Sequence, residues 1–227
     1  MPSSTVLDML ASARQVAVHA ERLGVVIKIT ASRPAFVHLG AALADAILQA
    51  GLNYRTIVKP RIDRIEQNYP CAANLSGLKA IVENGLLGEF LLWTHPVKIS
   101  RFTQLVALLG AEGVDNTTDL REWLEHSEAR DKVLSLAGLG PKTHDYLCCL
   151  VGIDRIAVDR HIKTFAREAG VLDSDYHDLQ AIVSCAADLL GLRRRDFDAW
   201  IWGRRQGRVR TQTACTTFEP SRHVKQM

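Results

Sequence analysis

The stretch Leu134–Phe165, LSLAGLGPKTHDYLCCLVGIDRIAVDRHIKTF, decides how the rest of the chain is read. At its centre Gly138 and Gly140 bracket Leu139, between an apolar helical pattern ending near Leu136 and a second one starting at Pro141. The chain must reverse there within about three residues, which two glycines permit. Pro141 suits the first position of the second helix, because its missing N–H would have no partner there, and Lys142 and Thr143 follow in the first turn. A hairpin of this kind aims helix N-terminal N–H groups outward, where the partial positive charge suits a phosphate. A lone Gly-x-Gly is equally a helix C-cap followed by a proline-started helix. Leu134, Leu136 and Leu139, with Pro-Lys-Thr after them, favour the nucleic-acid reading. Further on, Asp159 falls where the N-cap of a helix starting at Arg160 belongs.

These residues resemble the helix-hairpin-helix DNA glycosylases of base-excision repair, the superfamily that includes endonuclease III and the 8-oxoguanine glycosylases. The resemblance rests on Leu136-x-Gly138-Leu139-Gly140-Pro141-Lys142-Thr143, followed by Ala157-Val158-Asp159-Arg160-His161. It implies that Gly138, Leu139, Gly140 and Thr143 form a DNA phosphate-binding hairpin, that Lys142 is the nucleophile and that Asp159 is the essential carboxylate. A lysine attacks the sugar C1′ only as the neutral amine, so its pKa must fall from about 10.4 toward neutrality. His161 is expected to support packing or to contact a phosphate. Two further positions follow from the resemblance. Ala46-Ile47-Leu48-Gln49 is similar to a family segment whose glutamine lies near the lesion, although Gln49 is equally a surface glutamine after a helix. Asp198 and Trp202, four residues apart and so on one helical face, are similar to an Asp-x-x-x-Trp pair of archaeal-type 8-oxoguanine glycosylases. That pair is short, and tryptophans on an amphipathic helix are commonly core.

The implied activity is that of a bifunctional DNA glycosylase and AP lyase acting on damaged double-stranded DNA, with 8-oxoguanine the favoured lesion. Two alternatives stay open: an endonuclease III-like enzyme for oxidised pyrimidines, and a non-catalytic DNA-binding protein in which Lys142 contacts phosphate. Many endonuclease III-like relatives carry a four-cysteine iron–sulfur cluster near the C-terminus. Here only Cys215 lies beyond Cys185, so no cluster and no metal are expected, while a monovalent cation on the hairpin carbonyls fits the resemblance.

Composition sets broader bounds. The chain has 227 residues with 47% apolar content, enough for a sizeable core in one unit or two intimately packed lobes. A formal net charge of +3 does not by itself imply a nucleic-acid partner, but seven arginines between Arg193 and Arg210, against two aspartates, form a local basic excess. That excess is also compatible with a solvated helix face and a basic tail. No window approaches 18 uninterrupted apolar residues and the N-terminus lacks a signal-like pattern, so no membrane association is expected. Five scattered cysteines point to reduced thiols inside the cell, alongside chromosomal DNA. A monomer is expected.

The expected fold is all-α: two packed helical lobes, a helix-hairpin-helix motif and an active site in the cleft between them. Residues 1–33 form an N-terminal helix and connector, 34–206 the glycosylase domain, and 207–227 a basic tail. A helix is expected from Ser4 to Arg22, another from Pro34 to Ala50, and three short ones between Leu75 and Leu109. Cys148 and Cys149 lie in an apolar run and read as small core residues.

Overall fold

The computed structural model describes residues 6–25, 34–172 and 174–205. Ser4, the connector from Val26 to Ile29 and the basic tail from Gly207 lie outside the described residues. Among the described residues twelve α-helices account for the regular structure, together with one π-helical turn (Tyr54–Val58) and one 3-10 turn (Pro70–Ala73). Among the described residues the fold is all-helical.

The helices build two hydrophobic clusters. The first holds α2 (Leu39–Leu48), α3 (Lys59–Asn68), α4 (Leu75–Glu83), α5 (Leu87–Leu91), α6 (Pro96–Ala111), α7 (Thr117–Glu125), α8 (Ser127–Ser135) and α9 (Pro141–Leu150). The second holds α1 (Val6–Arg22), α10 (Arg160–Glu168), α11 (Tyr176–Leu189) and α12 (Arg194–Arg205). The chain therefore starts in the second cluster, completes the first, and returns through Ile156 and Val158. The N-terminal helix carries no motif, yet it belongs to this core: Ala13, Val16, Ala17 and Ala20 recur on one face and pack against α11.

Helix α2 is the axis of the first cluster, with all ten of its residues buried against α3, α6 and α9. It starts later than the Pro34 expected from the sequence. His38 takes an extended conformation (φ −109°, ψ 108°) and its Nδ1 accepts the Ala41 N–H at 3.1 Å, which sets the N-cap. The preceding residues are tied elsewhere, the Phe36 N–H donating to the Leu150 carbonyl at 2.9 Å.

The two clusters are joined through a buried carboxylate. Asp145 on α9, wholly buried, accepts hydrogen bonds from His144 Nδ1 (3.1 Å), Arg155 Nη1 (3.2 Å), Tyr176 Oη (2.7 Å) and Gln180 Nε2 (2.7 Å). Tyr176 and Gln180 lie on α11, and Gln180 also donates to the Ile156 carbonyl at 2.7 Å. Burial disfavours the ionised form of Asp145, but the donors from His144, Tyr176 and Gln180 outweigh it and hold the acid below its ordinary range. Cys148 and Cys149 are buried beside this site, as their apolar context predicts.

Candidate active site

The turn between α8 and α9 has the geometry its residues demand. Leu136 ends α8 in an extended conformation, Gly138 has φ +80°, and Pro141 opens α9 after Gly140 as N-cap. A Cβ on Gly138 would be strained by that φ and would lie 2.2 Å from the Arg101 guanidinium. The same construction at Gly140 meets nothing within 4 Å, so that side of the turn is open to a close-approaching group. Leu139 plugs the turn into the first cluster, and its N–H closes on the Leu136 carbonyl at 3.1 Å. Thr143 lies in the first turn of α9, its N–H donating to the Gly140 carbonyl at 2.9 Å.

Lys142, in that same first turn, lines a cavity of about 1110 Å³ whose walls come from both clusters. Gln49, Asp159, His161, Asp198 and Trp202 line it as well. Residues far apart in sequence thus share one cavity. Lys142 Nζ donates to Gln49 Oε1 at 2.6 Å, across 93 residues of chain, and lies 5.4 Å from the ring centre of Tyr146. Burial lowers the pKa of the Lys142 amine below the ordinary lysine value. Asp159, Asp198 and Asp45 pull it back up, and Arg160 adds to the lowering.

Asp159 has the expected N-cap geometry. Its Oδ1 accepts the N–H groups of His161 at 2.7 Å and Ile162 at 2.9 Å, which fixes the carboxylate at the head of α10. Asp198 Oδ2 accepts the Ala157 N–H at 2.7 Å, so α12 is pinned to the segment that leads into Asp159. The two tryptophans of α12 divide: Trp200 packs in the second core with Phe165 and Phe197, whereas Trp202 faces the cavity. Trp202 meets Tyr54 edge-on, ring centroids 5.1 Å apart.

Two residues that support this site, Asp45 and Lys98, belong to no sequence motif. Asp45, wholly buried, accepts from Tyr54 Oη at 3.0 Å and Tyr146 Oη at 3.2 Å. One carboxylate therefore orients the ring beside Lys142 and the ring against Trp202. Its signal was available as the lone charge in the apolar helix LGAALADAIL. Lys98, from the first turn of α6, donates to the carbonyls of Ile47 (2.8 Å), Leu48 (3.1 Å) and Ala50 (2.8 Å), and no spacing announces that contact. Among the described residues no group of three or more His, Cys, Asp or Glu side chains has the geometry to hold a metal ion, and no helix is long and apolar enough to cross a membrane.

Residues 96–206 match a family model described as a domain of unknown function (DUF8548). That match runs from the start of α6 through α12, and so contains Lys98, Lys142, Asp159, Asp198 and Trp202 but not Asp45 or Gln49. No curated protein matches the chain.

Proposed function

We propose that this protein is a helix-hairpin-helix DNA glycosylase with AP-lyase activity, acting as a monomer on damaged double-stranded DNA and excising an oxidised base, 8-oxoguanine first. In this reading the two hydrophobic clusters are lobes, and the cavity between them receives the extruded nucleotide. The observation that carries the proposal is Lys142: a largely buried lysine with a lowered pKa, its amine held by Gln49 in a cavity shared with Asp159 and Asp198.

The chemistry follows from those groups. The neutral amine attacks C1′ as the base departs with its bonding electron pair, while Asp159 stabilises the positive charge that develops on the sugar. Opening of the sugar gives an imine between Lys142 and C1′. Loss of a C2′ proton then expels the 3′ phosphate by β-elimination, cutting the strand 3′ to the lesion. The hairpin N–H groups and open face at Gly140 support a phosphate grip, and Asp198 with Trp202 supports recognition of the base by hydrogen bonding and stacking.

Borohydride trapping tests the proposal. Duplexes carrying 8-oxoguanine, thymine glycol or an abasic site are incubated with the protein and borohydride, which reduces the imine to a stable amine. The expected result is a covalent adduct with the 8-oxoguanine and abasic duplexes that is lost in Lys142→Ala. Adduct with thymine glycol and not with 8-oxoguanine would move the substrate to oxidised pyrimidines. No adduct with any duplex, and a Lys142→Ala variant that only binds DNA more weakly with a flatter salt dependence, would leave a binding module instead.

A further inference from the structure

Lys98 occupies an unusual position for a cation. It lies in the first turn of α6, after Pro96, where the helix dipole opposes a positive charge. Its ammonium group is instead satisfied by the carbonyls at the far end of α2: Ile47 and Leu48 on one side of Gln49, Ala50 on the other. The positive end of one helix side chain thus meets the negative end of another helix. Gln49 is the C-cap of α2, and its side-chain oxygen is the acceptor of Lys142 Nζ.

We infer that Lys98 is a positioning residue for Lys142: it clamps the backbone on both sides of Gln49, whose amide holds the Lys142 amine, and it sets a second positive charge within electrostatic reach of that amine. Its catalytic consequence rests on the glycosylase reading of Lys142, whereas the clamp and the charge do not. Lys98 is itself lowered to about 8, by burial first and then by Arg101 and Lys142. Repulsion between two cations is mutual, so a protonated Lys98 favours the neutral form of Lys142. The other groups that bear on Lys142 are Asp159, Asp198 and Asp45, which favour its proton, and Arg160, which opposes it.

Two variants separate the charge from the clamp. Lys98→Met removes the cation and keeps much of the stem, while Lys98→Arg keeps the cation, and thermal melting confirms that both fold. The pH profile of borohydride trapping on an abasic duplex is the first readout. For Lys98→Met the trapping rate near pH 7 is expected to fall roughly three- to tenfold and to recover as the pH rises, since each unit of displaced pKa is a tenfold change in neutral amine. Lys98→Arg should retain the original profile. A second readout needs no activity: reductive methylation with ¹³C-formaldehyde, Lys142→Arg assigning the signal, gives the titration of dimethylated Lys142 by NMR. It should titrate at higher pH in Lys98→Met. If Lys142 shows that displacement but no duplex is ever trapped, the inference stands and the glycosylase reading falls. If trapping occurs and neither profile nor titration moves in Lys98→Met, the inference is overturned.

Discussion

Replacing Asp145 by alanine should separate the stability of the protein from its chemistry. The carboxylate is wholly buried and receives four donors, from His144, Arg155, Tyr176 and Gln180, at distances between 2.7 and 3.2 Å. Truncating it leaves a guanidinium, a phenol and an imidazole N–H without that acceptor, while the Gln180 amide keeps only the Ile156 carbonyl. Breaking a buried charged network from one side costs about 3–5 kcal/mol. For a chain of this length each kcal/mol moves the melting temperature by roughly 2–4 °C, so a drop of about 6–20 °C is expected. Calorimetry or circular dichroism at neutral pH measures it. Acid gives an independent check of sign. The folded-state pKa of Asp145 lies below its ordinary value, so its contribution is complete above the unfolded pKa, about 3.9, and is lost as the pH falls through the folded one. The gap between the wild type and Asp145→Asn should accordingly be flat above about pH 5 and close below about pH 4. A loss of under ~2 °C in Asp145→Ala, or a gap that widens in acid, would refute the reasoning.

The remaining predictions concern the hairpin and the cavity. Gly138→Ala should destabilise by about 1–2 kcal/mol, the cost of a left-handed non-glycine residue, because of its φ of +80° and the adjacent Arg101. Gly140→Ala, with open space around its Cβ, should leave the melting temperature within ~2 °C yet weaken duplex binding in a fluorescence-anisotropy titration. Lys142 is lowered by burial, so between its folded and unfolded pKa values the unfolded chain binds more protons and stability rises with pH. Lys142→Gln removes that penalty and should raise the melting temperature at pH 7 by about 1–3 °C while abolishing the trapped adduct. Trp202→Ala, which opens the cavity wall beside Tyr54, should weaken capture of the base by about 1–3 kcal/mol in single-turnover excision, the usual worth of a base-stacking aromatic.

The parts of the fold that were legible in the sequence are the ones governed by neighbours along the chain. Gly138, Gly140 and Pro141 announce the reversal between α8 and α9 because φ and a missing N–H are properties of single residues. Asp159 announces the N-cap of α10 because its acceptors bond N–H groups two and three residues on. The start of α2, at Leu39 and not at Pro34, is not legible for the complementary reason. The bond from the Phe36 N–H to the Leu150 carbonyl depends on a helix more than a hundred residues downstream, and the ring of His38 is held by the Tyr69 carbonyl, 31 residues on.

The candidate site divides along the same line. Lys142, Asp159, Gln49, Asp198 and Trp202 could each be named from the sequence by their likeness to a motif, but that they line one cavity is a fact of packing. So is the lowered pKa of Lys142, since desolvation exists only once other segments exclude water from the amine. The partners of Asp45, Lys98 and Asp145 are not legible in the sequence, although Asp45 itself stands out as the lone charge of an apolar helix. A carboxylate that accepts from Tyr54 and Tyr146, a lysine that caps a helix about fifty residues away, and an aspartate that ties α9 to α11 have partners with no fixed spacing. The sequence by itself determined the turn, the helices and the order of the chemical groups, because those follow from local dihedral preference and apolar period. Only the tertiary structure decided which charges lie buried together, because charge burial depends on which distant surfaces meet.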